Sequence, residues 1–393
     1  MTSGIKTRRS GSRWWSAGNV ALYRRTRHFR NYPIISPTEP ALPTPQPRLY
    51  LDHAATTPMT GAARAALAEG CAMWANPSSP HAEGRAARRA LEDARSAIAR
   101  SLGWSHEILF TSGASESLAI ALTRSMATRR FVGAIDHDAV LRAAPDAIVM
   151  PVGPDGVLRL PGLGGPRSVV TVQWANSETG VRQPIAALAD AIHAAGHILL
   201  VDAAQMPAGA DPDVIDHADL VALSAHKRGG PPGIGALLVR DLALLEPTGG
   251  QERGYRPGTE NMPGVLGYAA ALAEPEPDHG ELRAHLDDAI RRSGGVVVAD
   301  ASRRHPAIAS YHMPGKPSAA QLIQFDLAQI SVSAGSACAS GSLKPSHVLA
   351  ALGWDVEAGR EVVRVSFGRT TTREDVDRFV AAWRAIARGK RAA

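Results

Sequence analysis

Six short apolar runs punctuate the middle of this 393-residue chain: Ile108–Phe110, Phe131–Ile135, Val169–Trp174, Ile198–Val201, Leu220–Leu223 and Ile234–Val239. Several are unbroken rather than alternating, the pattern of strands buried on both faces. Amphipathic segments lie between and around them, the clearest over Gly84–Leu102, where small and apolar residues recur at helical spacing. Strands of this kind interleaved with helices predict an α/β fold with a mainly parallel sheet flanked by helices. Three parts are expected: a basic, Pro-rich extension over 1–48, a large α/β domain over 49–262, and a smaller α+β domain over 263–393. The acidic, Pro-containing stretch Ala273–His279 lies near the junction of the last two. No internal repeat is present.

Charge narrows the range of partners. The net charge is +6, yet residues 1–37 alone carry eight Lys or Arg and no acid, so the rest of the chain is slightly acidic. That distribution gives no basis for a nucleic-acid-binding domain. The extension's composition is shared by organelle-targeting peptides, non-native starts and disordered extensions, and nothing in it selects among them. No apolar run approaches the roughly 18–20 residues of a membrane span. The two cysteines, Cys71 and Cys338, form no disulfide framework and lack metal-ligand spacing, so a reducing compartment, the cytoplasm, and no metal site are expected. Cys71 lies in an Ala/Leu-rich helical stretch and reads as a buried structural thiol. Cys338 lies among Gly, Ala and Ser from Ser333 to Ser342, the composition of a mobile loop.

Ligands of open α/β sheets bind at the carboxyl ends of the strands, and here those ends carry polar residues. After Ile108–Phe110 comes TSGASES, Thr111–Ser117, a Gly-containing turn opening a helix. Such a turn offers backbone N–H groups to a phosphate, though Ser-Gly turns also cap ordinary helices. Asp202 follows Ile198–Val201, with Gln205 three residues on. Leu220–Leu223 leads into Ser224-Ala225-His226-Lys227 and then a Gly/Pro-rich run. A carboxylate and a lysine on neighbouring strand ends fit the two partners of one pyridine ring, its nitrogen and its imine.

With these residues in place the chain resembles the cysteine desulfurases, fold type I pyridoxal-phosphate (PLP) enzymes related to class V aminotransferases. The resemblance runs from Tyr50 to the last helix. It is carried by YLDHAATTP (Tyr50–Pro58), NPSSPHAEGR (Asn76–Arg85), FTSGASES (Phe110–Ser117), Asp136-His137, ANSETG (Ala175–Gly180) and VDAAQ (Val201–Gln205). SAHK (Ser224–Lys227), GGQERGYRPGTEN (Gly249–Asn261), SAGSACASGS (Ser333–Ser342) and VRVSFGR (Val363–Arg369) complete the set. It implies that Lys227 bonds the cofactor, Asp202 pairs with its ring nitrogen, and His137 stacks on the ring and moves protons. Gln205 would lie near the phenolic oxygen, with Asn176 or Ser177 close by. Ala114, Ser115, Ser224 and His226 would hold the phosphate, joined by Thr259 from a second subunit of a homodimer. Arg364 and Asn76 would face the substrate, L-cysteine, and Cys338 would take its sulfur as a persulfide and leave alanine. The sulfur would pass to an acceptor protein, either an iron–sulfur scaffold or a thiolation protein.

Three positions depart from that family's pattern. Ser177 stands where an asparagine is usual, Arg228-Gly229-Gly230-Pro231-Pro232 replaces a bulky residue and second lysine after Lys227, and Pro257 replaces a small polar residue. The same scaffold also serves selenocysteine lyases, cysteine lyases and aminotransferases, and a non-catalytic sulfur relay is a further alternative. Cys338 in its loop argues against the aminotransferase, and Lys227, Asp202, His137 and Cys338 together argue against the relay. His53, His312 and His347 are expected to be structural or exposed, with no assigned partner.

Overall fold

The computed structural model describes residues 47–335 and 345–389. A seven-stranded sheet dominates it, in the order β2-β8-β7-β6-β5-β3-β4. These strands are β2 (Glu107–Thr111), β3 (Arg129–Gly133), β4 (Ile148–Met150), β5 (Ser168–Gln173), β6 (Ile198–Asp202), β7 (Leu220–Ser224) and β8 (Gly235–Val239). Strands β3 to β7 pair in parallel, while β8 runs antiparallel to both its neighbours, β7 and β2. Every residue of β5, β6, β7 and β8 is buried, and apolar residues dominate their sequences as expected of strands covered on both faces. The pleat still sorts side chains by face: Val170, Val172, Leu199 and Val201 enter one core with Trp174 and Tyr268. Val169, Ile198 and Leu200 enter the opposite core with Leu118 and Val132.

A three-stranded antiparallel sheet follows later in the chain, with β10 (Ile308–His312) between β9 (Val296–Val297) and β12 (Val362–Ser366). It has its own core, in which Phe325, Phe379, Trp383 and Tyr311 are fully buried. The chain's first strand, β1 (Leu49–Tyr50), pairs in parallel with β11 (Ile330–Ser331) beside this second core. The segment after β1 is then stitched to β12: Ser366 N donates to Leu51 O at 2.8 Å, and Ala54 N donates to Ser366 Oγ at 2.9 Å.

The expected helix at Gly84–Leu102 is α2 (Ala82–Leu102), capped at its C-terminus by left-handed Gly103. The run expected as a strand over Phe131–Ile135 lies two residues earlier, at Arg129–Gly133. The Asp136 carboxylate accepts the Gly133 N–H at 2.9 Å and turns Ala134 and Ile135 out of the sheet. Cys71 is not buried as expected. Helix α1 (Gly61–Ala72) packs through Ala63 and Gly70, a Cβ at Gly70 would stand 2.6 Å from Pro263 Cα, and Cys71 is a further 100° round the helix, exposed.

Candidate active site

The phosphate-type turn is built by β2 and α3 (Ala114–Thr123). Strand β2 ends at Thr111, and Gly113, with φ 150°, turns the chain straight into the helix. A side chain would be strained there, and a Cβ would stand 3.9 Å from Ser224 Oγ, so glycine keeps open the space between the turn and the end of β7. No side chain caps α3, which leaves its first N–H groups for an anionic oxygen.

Three strands away, β6 ends at buried Asp202, whose Oδ1 accepts Ala204 N at 3.1 Å. Strand β7 runs into a tight turn over Ala225–Lys227. Gln205 is fixed by donating Nε2 to Ala54 O at 3.0 Å, and His226 Nδ1 meets Thr56 Oγ1 at 3.1 Å. His137 caps α4 (Asp138–Ala143), its Nδ1 accepting Ala139 N at 3.1 Å. Burial lowers the pKa of His137 below the ordinary histidine value. The Lys227 cation pushes in the same direction and the Asp202 carboxylate opposes it, so all three groups feel one another. His226 is lowered by burial and by its neighbours Lys227 and Arg228. Asp136, wholly buried between His137 and the sheet, has its carboxyl pKa raised well above the usual range by burial and by Asp202.

These groups surround a cavity of about 410 Å³ lined by Ala114, Ser115, His137, Ser177, Asp202, Gln205, Ser224, His226, Lys227 and Arg364. Arg364 reaches it from β12 with only 6% of its surface exposed. Its Nη1 donates to Ser177 O at 3.0 Å and its Nη2 to Asp52 Oδ1 at 2.7 Å, while its buried Nε has no acceptor among the described residues.

Three expected site residues lie outside this cavity. Asn176 is buried, but its amide is spent locally: Nδ2 donates to Ile135 O and Gln173 Oε1, and Oδ1 accepts from the Glu178 and Thr179 N–H groups. Asn176 therefore shapes the turn that presents Ser177. Asn76 is exposed, its Oδ1 accepting Ser78 N at 2.8 Å. Thr259 is exposed on a loop held by buried Glu252, which grips Arg95 through two contacts of 2.8 and 3.0 Å and accepts Phe110 N. Cys338 lies outside the described residues. The described chain on either side of it is tied to the site: Ser333 and Arg364 exchange backbone hydrogen bonds, and Ser346 Oγ donates to Glu178 Oε2 at 2.6 Å.

The histidines expected to be structural or exposed, to which no partner was assigned, have partners. His347 Nε2 meets Asp136 O at 2.9 Å, His312 pairs with Glu361 at 2.8 Å, and His53 contacts Thr57 Oγ1. Asp52 and Glu178 are the site-facing groups that sequence reasoning missed, although both lie inside quoted motifs.

Residues 49–379 match the family model described as Aminotransferase class-V. A cysteine desulfurase of Cereibacter sphaeroides is 37% identical over 85% of this chain and 94% of its own length. A NifS-like protein of Rickettsia africae superposes with a TM-score of 0.77 at 26% identity, over 87% of this chain and 99% of its own. SspA, solved in complex with cysteine, gives a TM-score of 0.70 at 26% identity, over 82% and 100%. The chain belongs to the class-V aminotransferase family, and within it to the cysteine desulfurases.

Proposed function

We propose that this chain is a PLP-dependent L-cysteine desulfurase that leaves sulfur as a persulfide on Cys338 and releases L-alanine. The observation that carries the proposal is the convergence of Lys227, Asp202, His137 and Arg364 on one cavity that also includes the uncapped α3 turn.

The donor set fits the cofactor. Pyridoxal phosphate, when bound, supplies an electron sink for bonds at the α and β carbons of an amino acid. Lys227 is the amine that would bond it, and the buried Asp202 carboxylate would favour a proton on its ring nitrogen. The N–H groups of Ala114 and Ser115, with Ser224 and His226, take the phosphate. Gln205 and Ser177 line the remaining wall. His137, held neutral by burial, takes a proton from the substrate and returns it. Arg364 has a buried N–H on Nε with no acceptor among the described residues, and the substrate's α-carboxylate supplies one. The Cys338 thiolate attacks the substrate sulfur, the carbon–sulfur bond breaks, and the carbon skeleton leaves as alanine. Thr259 serves the site of a second copy in a homodimer, a reading supported by its exposure away from this chain's own cavity. An acceptor protein in the cytoplasm then collects the sulfur.

Two variants test this. Cys338→Ala should keep the visible absorption of the bound cofactor and still bind L-cysteine, but alanine release should fall about a thousandfold or more, as when a covalent nucleophile is removed. Lys227→Ala should lose the absorption band itself. Wild-type turnover in Cys338→Ala would transfer the chemistry to direct elimination of sulfide.

A further inference from the structure

Arg364 has a carboxylate partner within the chain, Asp52, to which the reaction proposed above gives no task. We propose that Asp52 is the resting counterion of Arg364, a positioning residue that shares the guanidinium with the incoming amino-acid carboxylate and weakens the hold on it. This rests on the desulfurase reading, in which Arg364 binds the substrate.

The geometry is specific. Arg364 and Ser366 lie two residues apart on β12 and so share one face of the strand. Ser366 binds the backbone on both sides of Asp52, through Leu51 O and Ala54 N, and Asp52 itself is bridged to Ser366. The Tyr50 hydroxyl adds a bond to Asp52 O at 3.1 Å. The strand that carries the arginine therefore also fixes the backbone that carries its counterion. Nη2 is committed to Asp52 at 2.7 Å and Nη1 to Ser177 O at 3.0 Å, while Nε has no acceptor among the described residues. Asp52 and a ligand carboxylate can thus be bound to the same guanidinium together.

The physical reason for such an arrangement is the cost of a buried charge. A guanidinium this far from water cannot stand unpaired between turnovers without a large desolvation penalty. Asp52 removes that penalty but leaves the substrate facing a neutral pair rather than a bare cation. Substrate and product carry the same α-carboxylate, so Asp52 weakens both equally. It thereby limits uniform binding, which would hold alanine as firmly as cysteine.

The test uses the PLP-loaded enzyme and calorimetry with L-alanine, alongside KM for L-cysteine. Asp52→Asn keeps the shape and one acceptor but removes the charge. Its dissociation constant for L-alanine should fall about tenfold, the scale of one partly screened charge contact, and KM should fall by the same factor. Affinity for cysteamine, which has no carboxylate, should not move. Should Asp52→Asn fold poorly, Asp52→Ala is expected to shift L-alanine in the same direction by at least the same factor, since it removes the competing acceptor as well as the charge. Unchanged or weaker L-alanine binding, or cysteamine affinity moving with it, overturns the proposal while leaving an active wild type as a desulfurase. A wild type that neither binds L-alanine nor turns over L-cysteine overturns both readings.

Discussion

Five histidines near the site, His53, His137, His226, His279 and His305, have pKa values below the ordinary one, each chiefly because burial penalises the cation. His53 is lowered to about 4, and the surrounding arginines push His305 down further. An unfolded chain would titrate these groups near 6.5, so on acidification it takes up protons before the folded protein does. Their contribution to stability is complete above that pH and is lost as pH falls towards the folded values, for His53 between about 6.5 and about 4. Asp136 and Glu178, raised chiefly by burial, act in the opposite sense, favouring the fold at low pH and losing that contribution as pH rises through their folded values. With five histidines against two acids, we expect a lower urea midpoint at pH 5 than at pH 7.5; an equal or higher midpoint at pH 5 would contradict this balance. Turnover should decline over the same descent as His137 becomes protonated. At this scale the sequence revealed residue types but not their orientation. Asp202 and Lys227 stood out as candidates because strand ends face ligands in any such sheet, and His137 through the resemblance; all three line the one cavity. Asn176 was misread because nothing in ANSETG tells which of two adjacent polar side chains turns inward to hold the loop. Asp52 was missed because its partner lies 312 residues away.

Elements carry the next layer of positioning. The helix His347–Ala351 begins at Ser346, whose Oγ caps Leu349 N and also donates to Glu178 Oε2, while His347 reaches Asp136 O. One short helix start therefore ties the chain after the Cys338 segment to the turn that carries Ser177 and to the neighbour of His137. Ser346→Ala should slow persulfide formation while leaving the cofactor's absorption unchanged, and should cost about 1–3 kcal/mol for the buried carboxylate left short of a donor. Stopped-flow kinetics and a denaturant melt would measure the two effects. The Thr259 loop depends in the same way on the Arg95–Glu252 pair, with side chains 10% and 0% exposed. Glu252→Ala should destabilise the protein by about 3–5 kcal/mol, because Arg95 is then buried without its bidentate partner; a thermal melt checks it. The long helix α2 and the core strands were readable from continuous apolar runs and helical spacing. The reversal of β8 was not, because a buried strand has the same composition in either direction. Short β4 escaped notice because Ile148 and Val149 are exposed and make no buried run.

For the molecule as a whole, the departure after Lys227 is explained by a long-range network. Arg228, only 7% exposed, pairs with Glu276, which also meets Arg369 at 3.3 Å, while Arg369 donates to Arg228 O at 2.9 Å. The turn that carries Lys227 is thus tied to the acidic stretch Ala273–His279 and to the segment after β12. Removing the shared acid in Glu276→Ala leaves two arginines facing each other out of water, so the denaturation midpoint should fall by an amount equivalent to about 3–5 kcal/mol, and Arg228→Leu should partly restore it in the double variant. The mainly parallel, helix-flanked sheet was foreseeable from the alternation of its segments. This network was not, since the charges involved look like surface residues in the sequence. The reversed strand β8 has a further effect, as a spacer. It keeps β7, which ends at the lysine turn, two inter-strand steps from β2, which ends at the α3 turn, a gap of about 9–10 Å. Gly235 lets β8 sit that close, since a Cβ there would stand 2.6 Å from Gly113 Cα and 2.4 Å from Leu223 O. The two strand axes are held that far apart, yet the turns at their ends close over the short β8: with glycine at 113 and at 235, the α3 turn comes to rest against Ser224, so a single anionic group can touch both turns at once.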